Sequence, residues 1–202
     1  MTRTNKLTSE ERKKRTVQAV IELCQTIEPA SITTAVIAEK MGVTQGALFR
    51  HFPSKDSIWE EVAKWVSEQI QALFYKTLNT EDCPIGNLES MYMAHISFIA
   101  QYPGVPRLLF SQLHKVQKTA SQRVISTLMN LYHLSIKQQL ARGIERGKID
   151  ADFDIESASS MYIGSIQGLV MQALIRGSDV LTLSKAKKIF ALYRRSIEKQ
   201  GN

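Results

Sequence analysis

Cysteine is scarce in this chain, in which only two of the 202 residues, Cys24 and Cys83, carry a thiol. The two lie far apart, and neither has a second cysteine at the spacing of a zinc site or a redox motif. The sequence therefore excludes a disulfide-rich scaffold and favours two reduced thiols.

Long apolar runs are also missing. The longest, Met161 to Ile175, is interrupted by Ser165 and Gln167 and falls short of the roughly 20 residues that a membrane-spanning helix needs. The first 14 residues are polar and charged, without the apolar centre of a secretory signal. We therefore expect a protein of the cytoplasm.

Recognisable catalytic motifs do not occur. No histidine follows a glutamate by three residues, as a helical di-metal site requires, and the four are scattered: His51, His95, His114 and His133. The chain has neither a glycine-rich phosphate loop nor a Gly-x-Ser-x-Gly elbow. We expect no metal, no cofactor and no enzymatic activity.

The charge balance permits a polyanionic partner without locating its site. Lysine and arginine number 26 against 19 acidic residues, which gives a net charge of +7. The first 60 residues hold only nine of the 26 basic side chains. Charge alone thus allows nucleic-acid binding and does not say where it occurs.

Proline and apolar periodicity predict an all-α protein. All five prolines precede Arg107, and between them apolar residues recur at spacings of three and four. Ser9 and Ser54 are candidate caps, and Gly147 stands where a helix would end. About nine helices are predicted: 9–27, 34–41, 44–51, 54–78, 88–100, 107–115, 121–146, 154–176 and 184–199.

The segment from Thr33 to Lys55 has the spacing of a helix-turn-helix. Ala38 is small where two helices cross, Gly42 permits the left-handed backbone of the turn, and Val43 fills the space between the helices. Other apolar residues complete the buried side: Ile37, Met41 and Leu48. The outward side of the second helix is small, polar and cationic, which suits the DNA major groove: Thr44, Gln45, Gly46, Ala47 and Arg50.

This segment resembles the tetracycline-repressor (TetR) family of transcriptional regulators. The matching residues need no gap: Thr33-Thr34, Ile37-Ala38, Gly42-Val43, Gln45, Leu48-Phe49, His51-Phe52 and Ser54-Lys55-Asp56. The resemblance implies that Thr33 and Thr34 contact phosphates and that the outward residues face bases or the adjacent backbone. His51 and Lys55 would hold phosphates on either side. Phe49 replaces the tyrosine usual in the family, so a phenol contact to phosphate is lost.

The resemblance also implies the domain organisation. Residues 1–55 would form the DNA-binding domain, helix 54–78 would connect it, and residues 79–202 would form a ligand-binding and dimerisation domain. The alternative is a helical enzyme or interaction protein with a helix-turn-helix lookalike. Such a protein would share the Ala-Gly-Val spacing but not the Thr-Thr start and the His-Phe exit.

Methionine and aromatic residues are frequent in the second domain. At helical spacing such residues are usually core, although methionine also adapts to varied apolar ligands. His95 and His133 are likewise more typical of a hydrogen-bonded core. Because family members are ligand sensors, the resemblance implies an inducer pocket, whose candidate residues are Met91, His95, Phe98, Phe110, His114, Met129, Tyr132, Tyr162 and Gln167.

The helix from Asp154 to Arg176 is apolar on more than one side and must therefore be buried twice. Small residues on one stripe allow another backbone to approach, which favours a partner subunit over the alternative of a central helix in a monomer. The resemblance implies that this helix and the last helix of each subunit form a four-helix bundle around a two-fold axis. The predicted interface residues are Met161, Gly164, Ser165, Gly168, Met171, Gln172, Ile175, Phe190 and Tyr193.

The sequence thus predicts a homodimeric transcriptional repressor of the cytoplasm. Its partners would be a palindromic DNA operator, a second copy of the chain and a small apolar or amphipathic inducer, with no membrane involved. Inducer binding would shift the population between two spacings of the paired DNA-binding domains.

Overall fold

The computed structural model describes residues 8–78, 83–113, 116, 118–177 and 181–199. Within these ranges the chain forms helices and no strand, which confirms the predicted all-α class. The elements are α1 (Ser9–Thr26), a short 3-10 helix (Pro29–Ser31), α2 (Thr34–Lys40), α3 (Gln45–Phe49), α4 (Lys55–Leu78), α5 (Pro84–Gln101), α6 (Gly104–Leu113), α7 (Ala120–Glu145), α8 (Ile155–Arg176) and α9 (Leu183–Ile197).

The first helix is capped one residue earlier than predicted. Thr8, rather than Ser9, precedes the first helical residue, and its hydroxyl accepts the backbone N–H of Glu11 at 3.2 Å. The Glu11 carboxylate accepts the Thr8 N–H at 2.7 Å in return, which completes a capping box. Thr8 and Ser9 both carry a hydroxyl that could cap the helix. Thr8 is the cap because Glu11, three residues later, accepts its backbone N–H.

Two other helices begin before their predicted first residues because proline is tolerated in the first helical turn. Pro84 is the first residue of α5, which was predicted to begin at Leu88, and Pro106 is the third residue of α6. The last two predicted residues of α6 lie outside the described residues. Gly147, by contrast, has a φ of +63° after α7, which confirms the predicted helix end.

The first of two compact units comprises Met1–Ser67 and Tyr102–Ile125. In this unit α1 packs against α6, and Gly104 lies so close to α1 that a Cβ would overlap the backbone of Cys24. Burial raises the pKa of the Cys24 thiol to about 12, so the thiol stays protonated and inert. The domain boundaries assigned from sequence, after residue 55 and before residue 79, stay a prediction.

The second unit comprises Glu68–Gln101 and Ser126–Asn202, and aromatic rings fill its core. The ring of Tyr162 lies 5.3 Å from that of Tyr92 and 5.5 Å from that of Tyr193, both edge to face. The Tyr162 hydroxyl donates to the backbone oxygen of Leu88 at 2.8 Å, and Tyr193 donates to that of Ala158 at 3.2 Å. Hydrogen bonds of this kind let phenols occupy an apolar core.

Candidate nucleic-acid interface

The turn between α2 and α3 has the geometry that its sequence predicts. Gly42 adopts a φ of +65°, and its N–H donates to the backbone oxygen of Glu39 at 3.0 Å. Val43 donates to the oxygen of Ala38, also at 3.0 Å, which closes the helix end. Three apolar residues under the turn are buried and fix the angle between the helices: Ile37, Ala38 and Leu48.

The N-termini of α2 and α3 lie next to each other, each capped by a threonine. The hydroxyl of Thr33 accepts the N–H of Val36, and that of Thr44 accepts the N–H of Ala47, both at 3.2 Å. The Gln45 side chain crosses from α3 and donates to the Thr34 hydroxyl at 3.3 Å. This contact brings two predicted DNA-contacting residues together on one surface, beside helix ends that carry partial positive charge.

Most of the predicted base-facing residues are exposed: Thr44, Gln45, Gly46 and Arg50. Ala47 is half-buried, as expected for a small residue close to the helix axis. Phe49 is 43% exposed, although phenylalanine usually lies in the core. This surface combines hydrogen-bonding groups, a guanidinium and an aromatic ring, which are the groups that contact bases, phosphates and sugars.

The two predicted phosphate-holding residues beyond α3 are each positioned by a neighbour. Nδ1 of His51 lies 3.2 Å from the hydroxyl of Ser9, at the start of α1. The Lys55 ammonium lies 5.3 Å from the ring centroid of Trp59, one turn further along α4. Neither neighbour was predicted from the sequence. The Lys55 and Trp59 spacing of four residues is a signal, whereas Ser9 is 42 residues from His51 and gives none.

Three of the predicted pocket residues meet inside the second unit. Nδ1 of His95 lies 3.2 Å from the hydroxyl of Tyr132, and the rings of Tyr132 and Tyr162 are 6.0 Å apart. Burial lowers the pKa of His95 to about 4 and raises the pKa of Tyr132, so both side chains are neutral near pH 7. Met91 and Phe98 are also buried.

The burial of the other predicted pocket residues differs from one to the next. Gln167 is exposed on α8, which corrects its assignment to an interior pocket. Phe110 lies in the first unit and is half-buried, and Met129 is half-buried on α7. His114 lies outside the described residues. The apolar residues of α8 cover most of its circumference, so periodicity alone does not show which side of this helix faces the core.

The outward face of α8 carries large apolar side chains in solvent. Met161 is 49% exposed, Met171 46% and Ile175 73%. Gly164 and Gln172 are exposed on the same face and Gly168 is half-buried. A Cβ added at either glycine would have no neighbour within 4 Å among the described residues, so the face is open in the single chain.

Three other predicted interface residues belong to the chain's own core instead. Phe190 is fully buried, and its ring lies 5.4 Å from that of Tyr92. Tyr193 is 4% exposed and packs on Tyr162. The Ser165 hydroxyl lies 3.0 Å from the hydroxyl of Tyr92 and faces α5. These positions correct the assignment from sequence, which did not separate the inward and outward sides of α8 and α9.

Two features of the described residues bear on other classes of protein. Across 8–78, 83–113, 116, 118–177 and 181–199, no three histidine, cysteine, aspartate or glutamate side chains come together as a metal site. None of the helices in these ranges is both long and apolar enough to cross a bilayer.

Residues 22–62 match the sequence profile of the family described as "Bacterial regulatory proteins, tetR family". The nucleoid occlusion factor SlmA of Aliivibrio fischeri is 27% identical over 156 residues, which cover 75% of this chain and 78% of that protein. A TetR transcription regulator from Haloarcula marismortui superposes with a TM-score of 0.82 at 17% identity, covering 94% of this chain and all of the other.

The transcriptional regulator FadR from Bacillus subtilis, solved in complex with stearoyl-CoA, has a TM-score of 0.80 at 18% identity. The match covers 91% of this chain and 98% of FadR. At these identities the two structural likenesses show the fold, and the profile match falls on the helices that carry the α2–α3 turn. Residues 22–62 therefore carry the sequence signature of the tetR family of bacterial regulatory proteins, and the chain has the fold of TetR transcription regulators.

Proposed function

We propose that the protein is a homodimeric transcriptional repressor that binds a palindromic DNA operator through α3 and is released by a small molecule. The observation that carries the proposal is the contact between Gln45 and Thr34, which joins the N-termini of α2 and α3 into one exposed polar surface. The proposal places the protein in the cytoplasm and assigns it no catalytic step.

The operator is proposed to be palindromic because the outward face of α8 fits a second copy of the chain. This face lacks charged residues from position 157 to position 175 and includes two glycines that would let backbones approach. A two-fold axis through such a contact presents two α3 helices to the DNA in opposite directions. Two half-sites of inverted sequence follow from that symmetry.

The inducer is proposed to enter the second unit among α5, α7 and α8. Asn87 is 1% exposed, and its amide donates to the Gln139 side chain at 3.1 Å. The Asn87 oxygen has no hydrogen-bond partner within the described ranges, and a buried acceptor without a partner is costly. A ligand with a donor group would satisfy it, and the adjacent Met91 would adapt to an apolar body.

A selection experiment tests DNA binding. The purified full chain is incubated with a pool of random duplexes, and the bound sequences are read after several rounds. We expect a two-fold symmetric consensus, and fluorescence anisotropy should then measure its affinity. Failure to enrich any sequence, with the dimer intact, would contradict the repressor assignment.

The inducer is tested with a thermal-shift screen of apolar and amphipathic compounds. A compound that stabilises the protein should bind more weakly when the operator is saturating, by the same factor by which it weakens DNA binding. Asn87→Leu, which removes the side-chain oxygen that a ligand donor would satisfy, should weaken compound binding and leave operator affinity unchanged. A compound whose affinity does not respond to the operator would separate ligand binding from regulation.

Nucleoid occlusion is a second candidate function, favoured by the relatives named for it at 26% and 27% identity. Deleting the gene distinguishes the two. Repression predicts altered transcripts beside the bound sites, whereas nucleoid occlusion predicts misplaced division across the nucleoid with those transcripts unchanged.

A further inference from the structure

A cleft of about 280 Å³ lies in the first unit, between α1 and the end of α2. One wall is the stretch of α1 from Arg12 to Glu22, and the other is formed by Lys40, Met41 and Val43. We call it the α1–α2 cleft. None of the residues assigned above to DNA contacts or to the inducer lines it.

The chain's own Glu22 shows that the α1–α2 cleft can hold a carboxylate. One Glu22 oxygen lies 3.0 Å from the Lys40 ammonium, and the other accepts a hydrogen bond from the Gln18 amide at 3.1 Å. These contacts lower the pKa of Glu22. Arg12 and Arg15 line the same cleft, so its cationic side chains outnumber its single carboxylate.

The remaining lining of the α1–α2 cleft is apolar. Ala19 is buried on α1, and Met41 and Val43 are half-buried at the turn. Apolar side chains at the wall of a cationic cleft suit a molecule that has an apolar body beside its charge. A volume of about 280 Å³ lies just below the range of drug-sized pockets, so the molecule would be small.

We propose that the α1–α2 cleft binds a small organic acid, with its carboxylate between Arg15 and Lys40 and its apolar part on Met41 and Val43. Guanidinium groups bind carboxylates through paired N–H donors, and a lysine ammonium adds a point charge. A duplex phosphate would use the cations but not the apolar lining. The site is separate from the proposed operator and inducer sites and does not depend on either.

Hexanoate is the probe for this proposal. Titration into the uniformly 15N-labelled full chain should produce saturable shifts of the Ala19 and Val43 amide resonances. Acetate should bind about tenfold more weakly, because it lacks the methylenes that cover the apolar lining. Hexanamide, which is neutral, should not bind. Shifts that never saturate, or equal affinity for hexanoate and hexanamide, would overturn the proposal.

Charge variants provide the decisive comparison. Glu22→Gln should tighten hexanoate binding by about two- to fivefold, since Lys40 loses its competing carboxylate, and Lys40→Gln should weaken it. Glu10→Gln is the matched control, because it changes the charge of α1 by the same amount. Glu10 lies 3.9 Å from the ammonium of Lys14, and neither residue lines the cleft. Equal tightening by both glutamate variants would mean that the net charge of the protein, rather than the Glu22–Lys40 pair, controls hexanoate binding, which would contradict the proposed site. Loss of operator affinity in Lys40→Gln without any hexanoate binding would assign the cleft to DNA.

Discussion

The exposed faces of α3 and α8 differ in chemistry although both are open to solvent. The α3 face carries hydrogen-bonding side chains and the guanidinium of Arg50. The α8 face has no charge between positions 157 and 175 and exposes Met161, Met171 and Ile175. A polyanion needs cations and donors, whereas a second protein surface needs apolar area that can lose its water. The side chains of an open face, rather than its exposure, therefore indicate its partner.

Two glycines differ in whether packing within the single chain explains them. A Cβ at Gly104 would overlap the backbone of Cys24, so the packing of α6 on α1 requires glycine within one chain. A Cβ at Gly168 would have nothing within 4 Å in the part of the chain that the structure describes. The single chain gives no reason for glycine at position 168, but close approach of a second α8 would.

The largest expected effect comes from Gly168→Leu. The bulky side chain has room in one chain but would separate the two α8 helices, so we expect the dimer to weaken about a hundredfold or more. Sedimentation equilibrium at micromolar concentration measures the dissociation, and circular dichroism should show that the helices remain.

Two other variants give the comparison its controls. Ser97→Leu places the same leucine side chain at an exposed position of α5 and should leave the dimer intact. Gly104→Ala should instead lower the free energy of unfolding by about 1–3 kcal/mol, through overpacking within the chain. A monomeric wild type, or a Gly168→Leu dimer as stable as that of Ser97→Leu, would remove α8 as the interface.

The second prediction concerns the pH dependence of the free energy of unfolding, which the buried, neutral His95 controls. The pKa of His95 falls from 6.5 to about 4 on folding, so the unfolded chain takes up a proton there before the folded chain does. Stability is therefore complete above about pH 6.5 and declines towards pH 4, by about 2 kcal/mol between pH 7.5 and pH 5. Urea unfolding at both pH values measures the change.

His95→Gln serves as the reference for this measurement, because it keeps a polar group for the Tyr132 hydroxyl but does not titrate. The difference between the wild type and this variant should account for the decline. An equal decline in both proteins would show that other groups cause it.

The DNA-binding surface was predictable from sequence because its determinants are local. The Gly42 turn and the exposed residues of α3 follow from spacings within 23 residues, from Thr33 to Lys55. The capping roles of Thr33 and Thr44 were not predicted. Helix starts were less predictable: Pro84 reads as a break between helices but occupies the first position of α5. The choice of Thr8 over Ser9 depended on a reciprocal hydrogen bond.

The second unit was less predictable because its helices are apolar around much of their circumference. Phe190 and Tyr193 fit an interface as well as a core in the sequence, and only their contacts with Tyr92 and Tyr162 separate the two. Gln167 was placed inside for the same reason. The pair of His95 and Tyr132 joins residues 37 positions apart, which no local spacing reveals.

Gln45→Ala tests whether the α3 face reads bases. We expect a loss of about 1–3 kcal/mol in affinity for the selected operator, because one amide contact to a base edge disappears. Preference at one base position in each half-site should relax. Gln25→Ala, which removes an exposed glutamine from α1, is the matched control and should change neither quantity. Equal losses on all sequences would contradict base reading.

The smallest expected effect, and the sharpest test of the α3 surface, is that of Lys55→Ala on the salt dependence of DNA binding. A lysine on a phosphate displaces about one counterion, so the slope of log affinity against log salt should flatten by about one unit. The loss of affinity should be the same on every sequence, since a phosphate contact carries no base information. Lys64→Ala removes an equal charge from the same helix, but its ammonium lies 3.0 Å from both Glu60 and Glu61. That variant should keep the wild-type slope, and equal flattening by both would mean that the overall field, rather than Lys55, holds the phosphate.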